Sequence, residues 1–208
     1  TDAIITIQDG TILEQSNFPQ ATVDTYLDEG ISSVSLDGNG LTIGNSSAAN
    51  SNLSSSTSLI SFNLSALNLP NSYEVLDAEL TLTAVSGSGE VDVSASRMVS
   101  NWDETSTWNN NSSTGQWSNF GALRGQDSDL PDTMITINSL GENSWDVTRI
   151  VQLSVDSGTQ IASIILQPEL INSPSGVVDG NYAFADSENS NIDLRPKLKL
   201  TYRTNNQW

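Results

Sequence analysis

The chain has 208 residues, with 25 Asp and Glu against 7 Lys and Arg for a formal net charge of -18, 36% hydrophobic residues, and neither Cys nor His. This composition excludes disulfide frameworks, cysteine nucleophiles, histidine triads and most zinc or iron sites, so any catalysis would have to run on carboxylates, Tyr, Lys or Arg. The acid excess argues against nucleic acid and anionic membranes as partners, while it favours solubility and draws divalent cations.

The low hydrophobic content suits an all-β fold, in which a strand needs only one apolar face. A single domain over residues 1–208 is expected, with an N-terminal strand segment at 1–20 and a core at 21–203. No apolar run reaches the ~18 residues of a membrane span. The opening Thr1-Asp2-Ala3 has no signal-peptide pattern, so a processed or excised piece is expected.

In chain order, Ala3 to Ile7, Asp9-Gly10 and Ile12-Leu13 predict a small hairpin. Ala21 to Leu27 predicts a strand with Val23, Thr25 and Leu27 on one face and Asp24 and Tyr26 on the other. Asp is depleted from strands, so Asp24 should be exposed, paired or bound to a metal. Asp37-Gly38-Asn39-Gly40 is a turn before the short strand Leu41 to Gly44, and Asn45 to Ser56 reads as a mobile Ser/Asn loop. Leu59 to Leu64 puts Ile60, Phe62 and Leu64 on one side. After a turn at Pro70-Asn71, Leu76, Ala78, Leu80, Leu82 and Ala84 alternate with Asp77, Glu79, Thr81 and Thr83, the period-two pattern of a half-buried strand. Gly87-Ser88-Gly89 predicts a hairpin into Val91, Val93 and Ala95.

From Asn101 to Pro131 periodicity lapses, and the density of Trp102, Trp108, Trp117 and Phe120 argues for an ordered, functional loop. Thr133 to Asn138 is a strand; Arg149 to Val155, behind a capping Asp146 or Thr148 and before Gly158, predicts one short helix. Ile161 to Leu166 is apolar on both faces and reads as a central strand, followed by strands at Tyr182 to Ala185 and Leu198 to Tyr202. These short strands with turn signals predict a two-sheet β-sandwich of jelly-roll type with one short helix.

Several pieces recur in a recognisable order: Ala21-Thr22-Val23-Asp24-Thr25-Tyr26, Ser58 to Ser65, Asp77 to Leu82, the set Trp102, Glu104, Thr107 and Trp108, then Trp145-Asp146-Val147-Thr148, Ser187-Glu188 and Arg195-Pro196-Lys197-Leu198. In this order they resemble the DNRLRE or disaggregatase-related domains, which include the alginate-binding carbohydrate-binding module family 96. The resemblance implies a secreted jelly-roll module attached to polysaccharide-degrading enzymes or cell-surface proteins, often stabilised by calcium. That family often carries a basic residue before the Phe62 strand; here Ser56, Thr57 and Ser58 stand in its place, which counts against a polyanionic ligand.

Trp102, Trp108, Trp145, Asp146 and Arg195 are read as structural motif residues. Trp117, Phe120, Tyr182 and Trp208 lie in polar surroundings, as either exposed sugar platforms or loop packing. Arg124 joins Trp117, Tyr182 and Phe120 as the candidate carbohydrate-binding set, with Arg97, Arg124 and Lys199 able to form a basic patch. Glu104 and Arg195 could pair, or Asp24, Glu104 and Glu188 could meet at a calcium ion. The expected function is non-catalytic binding of an algal polysaccharide, alginate or agar-type galactan, by an extracellular, secreted or surface-attached monomeric module tethered to a catalytic or surface domain. The alternatives are a structural or adhesive surface domain, and a glycoside hydrolase or lyase using Glu104 and Glu188.

Overall fold

The computed structural model describes residues 2–9, 12–13, 16–17, 21–47, 53–67, 69, 73–169 and 180–204. The strands are β1 (Asp2–Ile7), β2 (Ile12–Leu13), β3 (Ser16–Asn17), β4 (Thr22–Asp28), β5 (Leu41–Ser47), β6 (Leu53–Asn63), β7 (Tyr73–Ser88), β8 (Val91–Arg97), β9 (Thr133–Ile137), β10 (Gly141–Asp146), β11 (Ile161–Pro168), β12 (Asn181–Phe184) and β13 (Lys197–Thr204), with one helix, α1 (Thr148–Asp156). The fold is all-β and sandwich-like. Its two layers are not separate sheets, however: among the described residues, eleven antiparallel strands form one curled sheet in the order β1-β13-β7-β12-β5-β6-β11-β8-β9, with β4 added beside β6 and β10 beside β7. β5 is the hinge of this half-barrel, because it pairs with β12 on one edge and with the start of β6 on the other.

Alternation sets the core. Phe62, Leu80, Leu82, Val91 and Val93 all lie in one buried cluster, joined by Ile7, Leu41 and Ile43 from before the Ser/Asn stretch. A register irregularity between Thr201 and Tyr202 leaves Leu76 without a partner on β13, and below it Val75 and Tyr73 turn inward in its place. Trp145 is fully buried on β10, and its indole N–H donates to the Val93 carbonyl 3.1 Å away on β8, tying the two layers together. α1 places Ile150 and Val151 in the same core, and Gly158, at φ 74°, donates to the Val155 carbonyl and stops the helix. β11 pairs with β6 and β8 and is buried on both faces, the central strand its composition predicted.

Three local expectations are corrected. Gly87-Ser88-Gly89 does not close a hairpin: the end of β7 pairs with β12, and β8 pairs with β11 and β9, so the chain crosses from one layer to the other. Trp145 of β10, beside β7, reaches the Val93 carbonyl of β8 across the core, as strands in facing layers allow. β1 pairs with β13 instead of β2, and Asp9 accepts hydrogen bonds from the Ala21 and Thr22 amides. Much of Asn45 to Ser56 is paired backbone, Gly44 opposite Ser56 through Ser47 opposite Leu53, because strand pairing satisfies N–H and C=O groups whatever the side chains. Residues 48–52, Pro70-Asn71 and Trp208 lie outside the described residues.

Candidate functional site

The layer β4-β6-β11-β8 has a second, outward face. Thr25, Leu59, Ile165 and Ser96 form one row across it. Val23, Ser61 and Ser163 form the next, with the Met98 amide bonded to the Ser163 carbonyl. The long segment from Val99 to Pro131 folds down over the first row: Trp108, Trp117 and Ala122 make a small buried cluster with Leu27, Leu59, Met98 and Ile165. Polar ties hold this cover. Trp117 donates from its indole to the Thr107 carbonyl, Gly121 packs on the Trp108 ring and donates to the Trp108 carbonyl, and buried Asp127 accepts from the Ser100 hydroxyl and the Asn119 amide.

The cover stops short of the second row and leaves a groove of about 600 Å³. Val23, Ser61, Ser163 and Ile161 floor it; Ser154, Ser157 and Thr159 close one end; Trp102, Asp103 and Glu104 form a wall. Trp102 is half-buried. One side packs on the small cluster, and the indole N–H donates to the Ser163 hydroxyl at 2.8 Å, which fixes the ring over the floor. Arg97 also lines the groove but is ion-paired with Asp129 at 2.8 Å.

Beside the wall sits an acidic cluster. Asp37, Glu104 and Glu188 each offer a carboxylate oxygen, all within 4.8 Å of one another, and all three are exposed. Partial burial, followed by the charges of Asp37, Glu188 and Asp103, raises the Glu104 carboxyl above its ordinary value. Three hard oxygen donors at this spacing fit a divalent cation such as calcium, with water or carbonyl oxygens completing the shell. Asp24 stands next to this cluster rather than in it. It is 1% exposed, accepts the Ser187 amide at 2.9 Å through one oxygen and has no partner for the other among the described residues. Burial first, then the neighbouring Glu188, pushes its carboxyl up to about 8.

The sequence-predicted residues are thus redistributed. Trp117 and Tyr182, expected as exposed platforms, are 4% and 1% exposed and offer no face to a sugar. Trp117 is the centre of the loop cover, and Tyr182 packs between layers with its hydroxyl on the Gly89 carbonyl. Phe120 is 58% exposed. Arg124 is half-buried and ion-paired with Glu169, also donating to the Ser94 hydroxyl. No basic patch forms from Arg97, Arg124 and Lys199: the two arginines are in separate ion pairs, and Lys199 lies on β13, opposite Glu79 of β7. Glu104 and Arg195 do not pair either, since Arg195 donates to the Asn189 and Asp9 carbonyls and so fastens the end of β1. Glu104 and Glu188 do meet. Asp146 serves the start of α1, accepting from the Thr148 amide and hydroxyl.

Two contributors escaped the sequence. Asp37 reads there only as a turn residue, and Asp127 as one acid of a loop; each gains meaning from chain segments that fold against it. The chain matches no known protein-family model, and no curated protein matches it.

Proposed function

We propose that the chain is a non-catalytic polysaccharide-binding module, extracellular and tethered to a polysaccharide-degrading or surface protein. The observation that carries this reading is the groove beside Trp102: a fixed indole wall, an apolar and hydroxyl-bearing floor, and the length of a sheet face. Sugar rings present C–H faces that stack on such a ring and hydroxyls that exchange hydrogen bonds with Ser, Thr and Asn, the mix typical of half-wet sites. Against catalysis stands the state of the two wall carboxylates. Asp103 is committed to the Thr105 amide and hydroxyl of its own turn, and Glu104 belongs to the acidic cluster. The second part of the proposal is that Asp37, Glu104 and Glu188 hold calcium as a stabilising ion.

Pull-down on insoluble polysaccharides, paired with a reducing-sugar assay, tests the reading. Retention is expected without release of reducing ends or unsaturated uronate, and with Trp102→Ala retention falls at least about tenfold in protein that still shows a cooperative melting transition. Turnover of any substrate overturns the non-catalytic reading. For the ion, chelation of protein shown to carry calcium should lower Tm by mass action, and an unchanged Tm removes the stabilising role.

A further inference from the structure

The groove has a chemical bias that bears on what it can hold. This inference rests on reading it as a glycan site. Val23, Ser61 and Ser163 are neutral, and the one base in the lining, Arg97, is already neutralised by Asp129. The charges left on the wall are both negative, Asp103 and Glu104, and Glu104 sits in the acidic cluster. Elsewhere, Arg124, Arg149, Lys197 and Arg203 are likewise held in ion pairs, so five of the seven bases are spent on local carboxylates. Among the described lining residues no unpaired base answers a polyanion, and the three carboxylates of the acidic cluster outweigh a divalent cation, so an entering chain would desolvate its carboxylates or sulfates against net negative charge whether or not calcium is bound.

We infer that the groove selects an uncharged glycan chain, and that the protein discriminates against uronate polymers by charge repulsion at the Asp103–Glu104 wall. The dimensions favour a chain over a single sugar. Val23, Ser61 and Ser163 lie on β4, β6 and β11, and Met98, just past the end of β8, lines the groove beside them, so the groove runs across three strand spacings of ~4.8 Å, about 14 Å in all. Ring positions over Trp102 gain stacking. Hydroxyls of flanking rings meet Ser61 and the serines and threonine at the closed end. The Trp102 ring is already fixed by Ser163, so little ordering cost falls on binding.

Affinity electrophoresis of the full chain, in gels containing agarose or mixed-linkage β-glucan against gels containing alginate or polygalacturonate, tests this, each run with calcium and with EDTA. The neutral polymers should retard the protein and the uronates should bind at least about tenfold more weakly in both buffers. Trp102→Ala should abolish the retardation. Ile161→Lys, at an exposed position on the groove floor, should add uronate binding, and Val99→Lys, exposed in the lining, provides a second site for the same gain. Uronate retention equal to or tighter than neutral retention, in either buffer, overturns the charge selection while leaving the glycan-binding function standing. Full retention by a folded Trp102→Ala variant moves binding away from the groove and overturns the inference in the same way. Absence of retention by every polymer defeats the binding function itself, and this inference with it.

Discussion

The β4-β6-β11-β8 layer is covered on both faces, and the two faces are built on different physics. Inward, Ile60, Phe62, Ala162, Ile164, Val93 and Ala95 pack against the other layer, and Trp145 is the one indole among them. Outward, Leu59 and Ile165 are interleaved with Thr25, Thr57 and Ser96, and a loop held by three tryptophans takes the place of a second sheet. The buried hydroxyls of Thr25, Thr57 and Ser96 on that side have no hydrogen-bond partner among the described residues. A dry, apolar interface can be made by strand alternation alone. A cover over a half-polar face needs specific ties, such as Asp127, Gly121 and the Trp117 indole, and it leaves a gap where those ties end. The groove is that gap.

The largest expected effect separates the faces directly. Trp145→Ala removes a fully buried ring and its hydrogen bond to the Val93 carbonyl, so unfolding free energy should fall by about 3 to 5 kcal/mol in denaturant titration. A loss below about 1 kcal/mol would mean that Trp145 does not tie the two layers together.

Gly121→Ala addresses the outer cover. Gly121 has φ 73°, and an added Cβ would lie 2.6 Å from the Trp108 ring, so the cover must shift. A cost of about 1 to 3 kcal/mol is expected. Hydrogen exchange should quicken between Trp108 and Ser128 while β6 and β11 stay protected; uniform acceleration in both places would show that the cover and the sandwich open together.

A pH-dependent effect concerns Asp24, which lies on β4 opposite the inward-facing Ile60. Its carboxyl keeps its proton to about pH 8 when folded but ionises near 3.8 when the chain unfolds. The folded state therefore binds the extra proton, and the stability this gives is complete below about pH 4 and lost as pH rises towards 8. Asp24→Asn cannot ionise, so in EDTA its melting temperature should gain on the parent steadily across that window. Parallel curves for parent and variant would show that Asp24 has no raised pKa.

Much of the inner face was legible in the sequence. Leu80, Leu82 and Ala84 fix which side of β7 meets the core, although Thr81 and Thr83 on the other side, expected in water, are buried as well; the apolar run Ile161 to Leu166 fixes a central strand, and the Arg149 to Val155 spacing before Gly158 fixes the helix. The candidate site was legible only in part. The sequence points to Glu104 and Glu188 but not to their partner Asp37, and polar surroundings mark Trp117 and Tyr182 as platforms although both rings are buried and the ring on the groove is Trp102.

What the sequence by itself determined is what short-range periodicity and composition govern: the all-β class, strand faces, the helix, and a strongly negative net charge. Only the tertiary structure decided which strands pair across the turn at Gly87 to Gly89, which of Trp102, Trp117 and Tyr182 keeps a face in the open, and which acids converge. Those outcomes depend on segments distant in the chain competing for the same surface, as when Trp117 and Trp108 occupy the face over Leu59 and leave Trp102 at the margin. A local pattern sets which way a side chain points relative to its own strand; what lies there to cover it is set by the rest of the fold.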